Sequence, residues 1–357
     1  MKHPIAISTW GDEEIDAIQE VVFSGRLTMG EKTEQFERDY AEFMGAKYCV
    51  AVNSGSSANL LMVAAMSLRQ GVGTVIVPAI SWATSYTPFQ QYGWKLKFVD
   101  IDRETLNYDL DKLNEAYTGE ELILSVNLLG RPQDYQFFPA LGNAVLEDNC
   151  ESMGAVYADI PAGNFGVMAS HSTYFSHHIC TMEGGMVTTD DPYYYEMLLS
   201  LRSHGWTRHL PEDNLHNVTR GTYDFIYPGY NVRPTDMQCA IGIEQIKKLP
   251  EILIGRRKNA ENYPLKLNNI GHSSHFGFPI VSERIEEIKA YFDKEGVEYR
   301  PILSHFTKSP VIEYFDYEIY GELTNADYVH KNGIYIGNSG EPIDWSFLDN
   351  ELFEDLK

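Results

Sequence analysis

A histidine in a segment rich in hydroxyl side chains and glycine is the residue of this chain best suited to transfer a proton. Residues 172–190 read STYFSHHICTMEGGMVTTD, in which His177 stands five positions after Ser172 and the Glu-Gly-Gly of 183–185 opens an apolar run. Neutral imidazole has a pKa near ~6.5, so it can take up and return a proton near neutral pH. A lone histidine is more often a hydrogen-bonded core or surface residue, so the surrounding motifs decide the interpretation of His177.

Two acidic residues follow an apolar run that predicts a strand at 144–147. Asp148 comes directly after the run, and Glu151 follows three positions later. Ligands of open α/β sheets bind beyond the carboxyl ends of the strands, so Asp148 could hold a protonated group of a ligand there. A strand-end cap is the structural alternative for this aspartate.

A short turn between a predicted strand at 48–52 and a predicted helix could hold a phosphate. It reads Asn-Ser-Gly-Ser-Ser-Ala-Asn over 53–59. Glycine lets the backbone approach an anion, and the start of a helix directs free N–H groups and the positive end of its dipole toward that anion. Gly55, Ser56 and the hydroxyl of Ser172 are therefore candidate phosphate ligands, although a serine N-cap would give the same pattern.

In this order and context, the motifs resemble the cofactor-binding segments of the DegT/DnrJ/EryC1/StrS family of sugar aminotransferases. In that family a lysine stands five residues after the serine and forms a Schiff base with pyridoxal phosphate (PLP). His177 occupies the lysine position here, and no lysine occurs between Lys112 and Lys247. Imidazole has no primary amine, so it cannot form that bond. The chain thus resembles the branch in which histidine replaces the lysine, the 3-dehydratases of nucleotide-linked 4-keto-6-deoxy sugars.

The resemblance implies how the cofactor is bound. Trp82 matches an aromatic residue that stacks on the pyridine ring, and Asp148 matches an aspartate that keeps the ring nitrogen protonated. Glu151 matches the position that contacts the ring's 3-oxygen or stacks near it, where glutamine is common. Asn231 matches an asparagine that contacts the cofactor phosphate of the neighbouring subunit, which implies a homodimer with shared active sites. The expected cofactor-binding residues are Gly55, Ser56, Trp82, Asp148, Glu151, Ser172 and Asn231.

The resemblance further implies a reaction of pyridoxamine phosphate (PMP) that is held without a covalent bond. Its amine would condense with the 4-keto group of the sugar, and His177 would act as base and then as acid while the 3-hydroxyl leaves. Glutamate would regenerate PMP from PLP. Segments 276–279 and 298–301 look like those of family members that act on GDP-4-keto-6-deoxymannose, which is therefore the expected substrate.

Other readings of the same residues stay open at this point. The chain could be a dehydratase of another nucleotide sugar or an aminotransferase without the lysine. It could also be an inactive relative that binds only a cofactor or a sugar. Arg202, His204 and Arg208 are basic enough to bind nucleotide phosphates, but a solvated surface patch would look the same.

The composition excludes several classes of partner. The chain has 28 Lys and Arg against 51 Asp and Glu, a net charge of -23, which would repel nucleic acid and anionic membranes. No apolar run approaches the ~20 residues of a membrane span, and the N-terminus lacks the apolar core of a signal peptide, so a cytoplasmic protein is expected. The four cysteines are far apart, so no metal site is expected. This separates the chain from the iron–sulfur CDP-sugar dehydrases, which also carry the histidine.

Alternating strand and helix patterns predict an α/β fold with a mostly parallel sheet covered by helices. A long helix at 236–262, interrupted near Pro250, then leads into an α+β region. The predicted domains are a large cofactor-binding domain at 1–235 and, at 236–357, the connecting helix with a small C-terminal domain. This layout matches the PLP-dependent transferase fold of the family, the aspartate aminotransferase-like type I fold. The predicted strands of the large domain are 48–52, 75–78, 97–100, 122–126 and 144–147.

Overall fold

Helices and strands alternate through the first part of the chain, as the apolar patterns predicted. The computed structural model of the protein describes residues 2–221 and 223–357. Its α-helices are α1 (Asp12–Ser24), α2 (Glu31–Met44), α3 (Gly55–Gln70), α4 (Ala83–Tyr92), α5 (Leu110–Ala116), α6 (Pro192–Arg202), α7 (Asp236–Glu261), α8 (Ile285–Glu295) and α9 (Thr324–Asn332). Its strands are β1 (Tyr48–Val52), β2 (Thr74–Pro78), β3 (Ile80–Ser81), β4 (Lys95–Val99), β5 (Leu122–Val126), β6 (Gly142–Asp148), β7 (Val156–Tyr157), β8 (Ile160–Pro161), β9 (Gly166–Ser172), β10 (Gly185–Thr189), β11 (Gly277–Val281), β12 (Tyr299–Pro301), β13 (Ser304–His305), β14 (Tyr317–Ile319) and β15 (Gly333–Gly337).

The largest sheet is mostly parallel. Its eight strands lie in the order β1-β10-β9-β6-β5-β2-β4-β14, and β10 runs antiparallel to both of its neighbours while the other pairs are parallel. Parallel neighbours need crossover connections, such as the one that α4 supplies between β2 and β4, and a sheet covered on both faces needs strands that are apolar throughout. β5, with the sequence LILSV, is buried at every position. The predicted α/β architecture is therefore confirmed.

The parallel strands end at one edge of this sheet, and the candidate residues follow those ends. The 53–59 turn follows β1, Trp82 lies shortly after β2, Asp148 ends β6 and Ser172 ends β9. The carboxyl ends of parallel strands share an edge, and ligands of open α/β sheets bind there. The topology alone thus gathers residues that are more than a hundred positions apart in the sequence.

The long helix α7 is continuous from Asp236 to Glu261. It runs for 26 residues with Pro250 in its interior, so the predicted interruption near Pro250 was wrong. An interior proline removes a helical hydrogen bond and costs about 3 kcal/mol. However, α7 packs against α1 and α2 and buries Ile243, Leu249 and Leu253. Burial of each such side chain contributes about 1.5–3 kcal/mol, which offsets the proline.

A smaller sheet in the order β11-β15-β12 packs against α8 through an apolar cluster of its own. β11, α8 and β12 form the α+β region that was expected after the long helix. The chain then returns to the large sheet, where β14 pairs in parallel with β4. The division into 1–235 and 236–357 stays a prediction.

None of the helices in residues 2–221 and 223–357 combines the length and the hydropathy needed to cross a membrane. Within the same ranges, no group of three or more His, Cys, Asp and Glu side chains is arranged to bind a metal ion. The four cysteines are free thiols, and burial raises the pKa of each one. They are therefore protonated near neutral pH.

Candidate active site

Asp148 is buried at the end of β6 and accepts hydrogen bonds on both carboxylate oxygens. Asn59 Nδ2 and Ser85 Oγ donate to Oδ2 over 2.8 and 2.7 Å, and the backbone N–H of Cys150 donates to Oδ1 over 3.2 Å. The residue is only 5% exposed. These donors orient the carboxylate and stabilise its charge, which leaves it a fixed acceptor for a protonated ring nitrogen.

Sequence reasoning missed the two side chains that hold Asp148. Asn59 lies one turn after Gly55 on the buried face of α3, so a polar residue within an otherwise apolar stripe was the available signal. Ser85 lies in the first turn of α4 and is also buried. Its sequence gives no comparable signal, because only the packing of α4 brings it to β6.

Glu147, the residue before Asp148, is buried on the opposite face of the sheet. It accepts hydrogen bonds from the hydroxyl of Tyr135 and from the backbone N–H groups of Gly163 and Gly166, over 2.7, 2.8 and 2.7 Å. Successive strand side chains point to opposite faces, so the two acids belong to separate networks. The Glu147 network ties the 163–166 turn to β6 and fixes the strand that presents Asp148.

The turn after β1 forms the start of α3 and lies against the end of β9. Ser54 is the N-cap, and the backbone N–H groups of Gly55 and Ser56 have no acceptor among the described residues. A Cβ atom on Gly55 would lie 2.7 Å from Cβ of Ser172, so these two residues adjoin. The hydroxyl of Ser56 is 2.7 Å from that of Thr84, a candidate that the sequence reasoning missed. Free N–H groups and hydroxyls at a helix start suit a phosphate.

The substitution Gly55→Ala is expected to destabilise the protein by about 1–3 kcal/mol, as over-packing does. Its Cβ would also lie 2.9 Å from Sγ of Cys150, so the segments on both sides must move. Urea unfolding measures the loss of stability. Gly73→Ala is the matched control, because its Cβ would meet Trp94 at an ordinary 3.9 Å. Equal unfolding midpoints for the two variants would contradict the close contact at Gly55.

His177 is oriented by a backbone carbonyl. Its Nδ1 lies 2.7 Å from the carbonyl oxygen of Cys150, so Nδ1 carries the proton and Nε2 keeps the lone pair. The ring of Phe276 packs edge-on against the imidazole, with centroids 5.2 Å apart. Burial lowers the pKa of His177 to about 4; the Cys150 carbonyl opposes this shift, Arg256 reinforces it, and Asp148 opposes it. The imidazole is thus neutral and can accept a proton at Nε2.

Glu151 lies on the other side of the Cys150 peptide and holds its proton more tightly than usual. Its Oε2 accepts a hydrogen bond of 2.9 Å from the backbone N–H of Leu129. Burial raises the pKa of Glu151 to about 7, against the effect of the Leu129 bond and with a further rise from the charge of Asp148. A half-buried carboxyl shifted upward, on the residue after the carbonyl that orients a downward-shifted imidazole, suits a proton-transfer site.

Most of the predicted residues lie at or near the strand ends, and Asn231 lies on a different segment. Trp82 directly precedes α4, the helix that carries Ser85, and it is 61% exposed, so its indole face is open to a ligand. Asn231 is exposed in a segment that the N–H of Asn53 joins to the β1 turn through the carbonyl of Val232. The residues placed around the strand ends are Gly55, Ser56, Trp82, Asp148, Glu151, Ser172 and His177. Their roles toward a cofactor, and that of Asn231, stay predictions.

Arg202 is a buried structural residue. Its Nη1 donates to the carboxylate of Glu37 and, over 2.7 Å, to the carbonyl of Ala51. His204 and Arg208 are exposed. Of the three basic residues considered from the sequence, only His204 and Arg208 are therefore exposed enough to contact a substrate phosphate.

Comparison with known proteins identifies the family. Residues 8–337 match the sequence profile of the DegT/DnrJ/EryC1/StrS aminotransferase family. The chain belongs to this family. Over 390 aligned positions it is 46% identical to the GDP-4-keto-6-deoxy-D-mannose 3-dehydratase of Yersinia pseudotuberculosis, and the alignment covers 99% of this chain and 98% of that protein.

Solved structures of this family share the fold over nearly the whole chain. The E. coli GDP-4-keto-6-deoxy-D-mannose-3-dehydratase with bound hydrated PLP has a TM-score of 0.92 and 43% identity, and 99% of each chain is covered. A GDP-4-keto-6-deoxymannose-3-dehydratase with a trapped PLP–glutamate geminal diamine has a TM-score of 0.92 and 42% identity, covering 99% of this chain and 100% of that one. The predicted family and the predicted PLP-dependent transferase fold are both confirmed.

Proposed function

We propose that the protein is a PMP-dependent 3-dehydratase of a nucleotide-linked 4-keto-6-deoxy sugar, with GDP-4-keto-6-deoxymannose as its substrate. The observation that carries the proposal is His177, a neutral imidazole with Nδ1 engaged and Nε2 available, at the position of the family's lysine. Relatives named for this activity align with nearly the whole chain and support the choice of substrate. The bound PLP of one relative and the PLP–glutamate adduct of another support the cofactor and the amino donor.

The residues at the strand ends fit this cofactor. The N–H groups of Gly55 and Ser56, with the hydroxyl of Ser172, offer donors to a phosphate at the positive end of α3. Asp148 offers a buried carboxylate to the ring nitrogen, and Trp82 offers an open aromatic face. We assign the phosphate to the first group and the pyridine ring to the second.

His177 is assigned the proton transfers. When bound, PMP supplies a primary amine for the 4-keto group and a protonated ring that withdraws electrons. His177 Nε2 takes the proton from the carbon beside that amine and returns it to the departing hydroxyl. The Cys150 carbonyl holds the ring in one orientation and, together with Asp148, favours the imidazolium that forms after the first transfer.

Glu151 is assigned to the ring's 3-oxygen. With a pKa of about 7, its carboxyl can donate a hydrogen bond to that oxygen below neutral pH, as the amide of a glutamine would. Above this pKa the carboxylate repels the oxygen. Cofactor binding is therefore strongest on the acidic side of neutrality.

A homodimer with shared active sites belongs to the same proposal, with Asn231 contacting the cofactor phosphate of the neighbouring subunit. Asn231 is exposed on its own chain, so its side chain is available to a neighbouring subunit, which supports this role. Mixing inactive Asn231→Ala with inactive His177→Asn should restore about half of the wild-type turnover per mixed dimer, because one site then has both residues. Mixed dimers, isolated with two affinity tags, that stay as inactive as the parents would contradict shared sites.

The decisive experiment is the mass of the product formed from GDP-4-keto-6-deoxymannose with PLP and glutamate. We expect a product that has lost one oxygen, together with ammonia and 2-oxoglutarate. The two electrons that reduce the sugar come from glutamate, so the three products should appear in equal amounts. A 4-amino sugar would instead show aminotransfer and would overturn the assignment of His177.

Two other functions remain as outcomes of further tests. If this substrate is unchanged while another nucleotide sugar loses its 3-hydroxyl, the chemistry holds and the substrate is wrong. If no sugar reacts, the conversion of PLP to PMP by glutamate separates an active enzyme from a binding protein. Loss of the visible absorbance of PLP reports that conversion.

His177→Lys tests the placement of this residue. A lysine amine at this position should form a covalent bond with PLP, as in the aminotransferases of the family, and borohydride should make that bond permanent. Mass spectrometry of the reduced protein should show the cofactor attached in the variant and absent from the wild type. Cys180→Lys, three positions along in a buried site, is the control that should trap nothing. Failure to trap PLP in a folded His177→Lys variant would place His177 away from the cofactor.

A further inference from the structure

Behind His177 lies a buried arginine that pairs with no carboxylate in the described part of the chain. Arg256, on α7, is 3% exposed; its Nη1 donates to the carbonyls of His275 and Phe276 over 3.3 and 3.2 Å, and its Nε has no partner among the described residues. Burial alone lowers the pKa of Arg256 to about 9, and no carboxylate within residues 2–221 and 223–357 counters that effect. A buried charge of this kind is costly, so its presence beside the proposed base calls for a reason.

Phe276 connects Arg256 to His177: its carbonyl accepts a hydrogen bond from Arg256, and its ring contacts the imidazole. The N–H of Phe276 donates to the carbonyl of Leu129 over 3.2 Å and its carbonyl accepts from Arg256, so the two peptide groups that flank Phe276 are both held. The ring of the same phenylalanine packs edge-on against His177 at 74°. Asn338 also donates to the carbonyl of His275 over 2.9 Å and holds the neighbouring peptide. The orientation of Phe276 against the imidazole thus depends on the guanidinium.

The charge of Arg256 acts on the same ring. It opposes protonation of His177 and of His178, the next residue, whose pKa burial and then Arg256 lower well below the ordinary value. Asp148, at the end of β6, acts on His177 in the opposite sense, and Glu151 lies beyond the Cys150 peptide with a carboxyl that is partly protonated near neutral pH. At the imidazole of His177, the charge of Arg256 therefore opposes that of Asp148.

We propose that Arg256 is a positioning residue for His177: through the carbonyl of Phe276 it holds the aromatic ring against the imidazole, and its charge adds to the effect of burial in disfavouring protonation of the imidazole. This inference rests on the proposed function only for the role of His177 as base. The protonation state itself is a property of the chain and can be measured without a sugar substrate.

The test is a histidine NMR titration of the PMP-loaded protein, with the His177 signal assigned by its loss in His177→Asn. In the wild type the signal should stay neutral down to about pH 5. In Arg256→Met, which keeps the volume and loses the charge, the pKa of His177 should rise above about 4 and stay below its ordinary value of 6.5, because burial still lowers it. Arg256→Lys keeps the charge and should keep the pKa low. In parallel, the acidic limb of the pH profile of kcat/KM should move upward in Arg256→Met, since fewer molecules carry a neutral base.

The matched control is Arg257→Met, one residue along the same helix. The Nη2 of Arg257 donates to the carbonyl of Gly154 over 2.9 Å, and its charge acts on His275 rather than on His177. The His177 titration should therefore be unchanged in this variant. An equal rise in both methionine variants, or no rise in Arg256→Met, would overturn the proposal. If Arg256→Met does not fold, Arg256→Gln takes its place, because its amide can still donate to a carbonyl while the charge is lost, and an unchanged pKa of His177 in that variant contradicts the proposal. A wild type that dehydrates no sugar yet shows the predicted titration would refute the proposed function and leave the effect of Arg256 on His177 intact.

Discussion

His177→Asn is expected to lower dehydration by about 100- to 10,000-fold, the range for loss of a general acid–base group, while PMP binds as in the wild type. The amide of asparagine can still donate to the carbonyl of Cys150, so the local structure is kept and only the basic nitrogen is lost. Single-turnover product formation measures the first effect. The affinity for PMP, from quenching of tryptophan fluorescence, measures the second.

His330→Asn is the control for this experiment, because it removes an exposed imidazole from α9 and should leave turnover unchanged. A His177→Asn variant within a few-fold of the wild type would exclude His177 as the base for any sugar.

The pH dependence gives a second check on the same residue. With the pKa of His177 lowered to about 4, the base is neutral above that value, so the wild-type rate should be level on the acidic side of neutrality and fall only as pH drops through about 4.

The strands and their ends could be predicted because local patterns determine them. β1 and β5 lie where the apolar runs 48–52 and 122–126 placed them, and Asp148 ends β6 as expected. The phosphate turn was equally visible, since glycine and serine before an amphipathic run mark the start of a helix. These features need only neighbours in the sequence.

The environment of the site depended on distant packing, and the sequence could not provide it. Residues of α3 and α4 donate hydrogen bonds to Asp148. The ring of Phe276, nearly a hundred positions away in the sequence, packs edge-on against the ring of His177. The downward shift of the pKa of His177 follows from burial, which periodicity does not measure. Pro250 shows the same limit for the fold, because packing of α7 on its neighbours overrides a local signal that normally ends a helix.

The second large effect is expected at Asp148, the carboxylate to which we assign the ring nitrogen. Asp148→Asn should slow the conversion of PLP to PMP by glutamate about 100- to 1,000-fold, the size of effect seen when one fixed electrostatic group of an active site is removed. The neutral amide cannot favour a protonated ring nitrogen, so the ring withdraws electrons less strongly. Stopped-flow absorbance of PLP after addition of glutamate measures this step, and no sugar is needed.

A matched variant separates this electrostatic effect from a loss of stability. Asp100 also follows a parallel strand, β4, and is fully buried, where it accepts from Lys112 and from the backbone N–H of Ala326 over 2.9 and 2.8 Å. Asp100→Asn should therefore lower the free energy of unfolding, by about 1–3 kcal/mol for a buried hydrogen-bonded charge, and leave the glutamate reaction unchanged. Equal rates for the wild type and Asp148→Asn would remove Asp148 from the cofactor site. Slow rates in Asp148→Asn alone would fix the ring nitrogen at the end of β6, whichever nucleotide sugar the protein accepts.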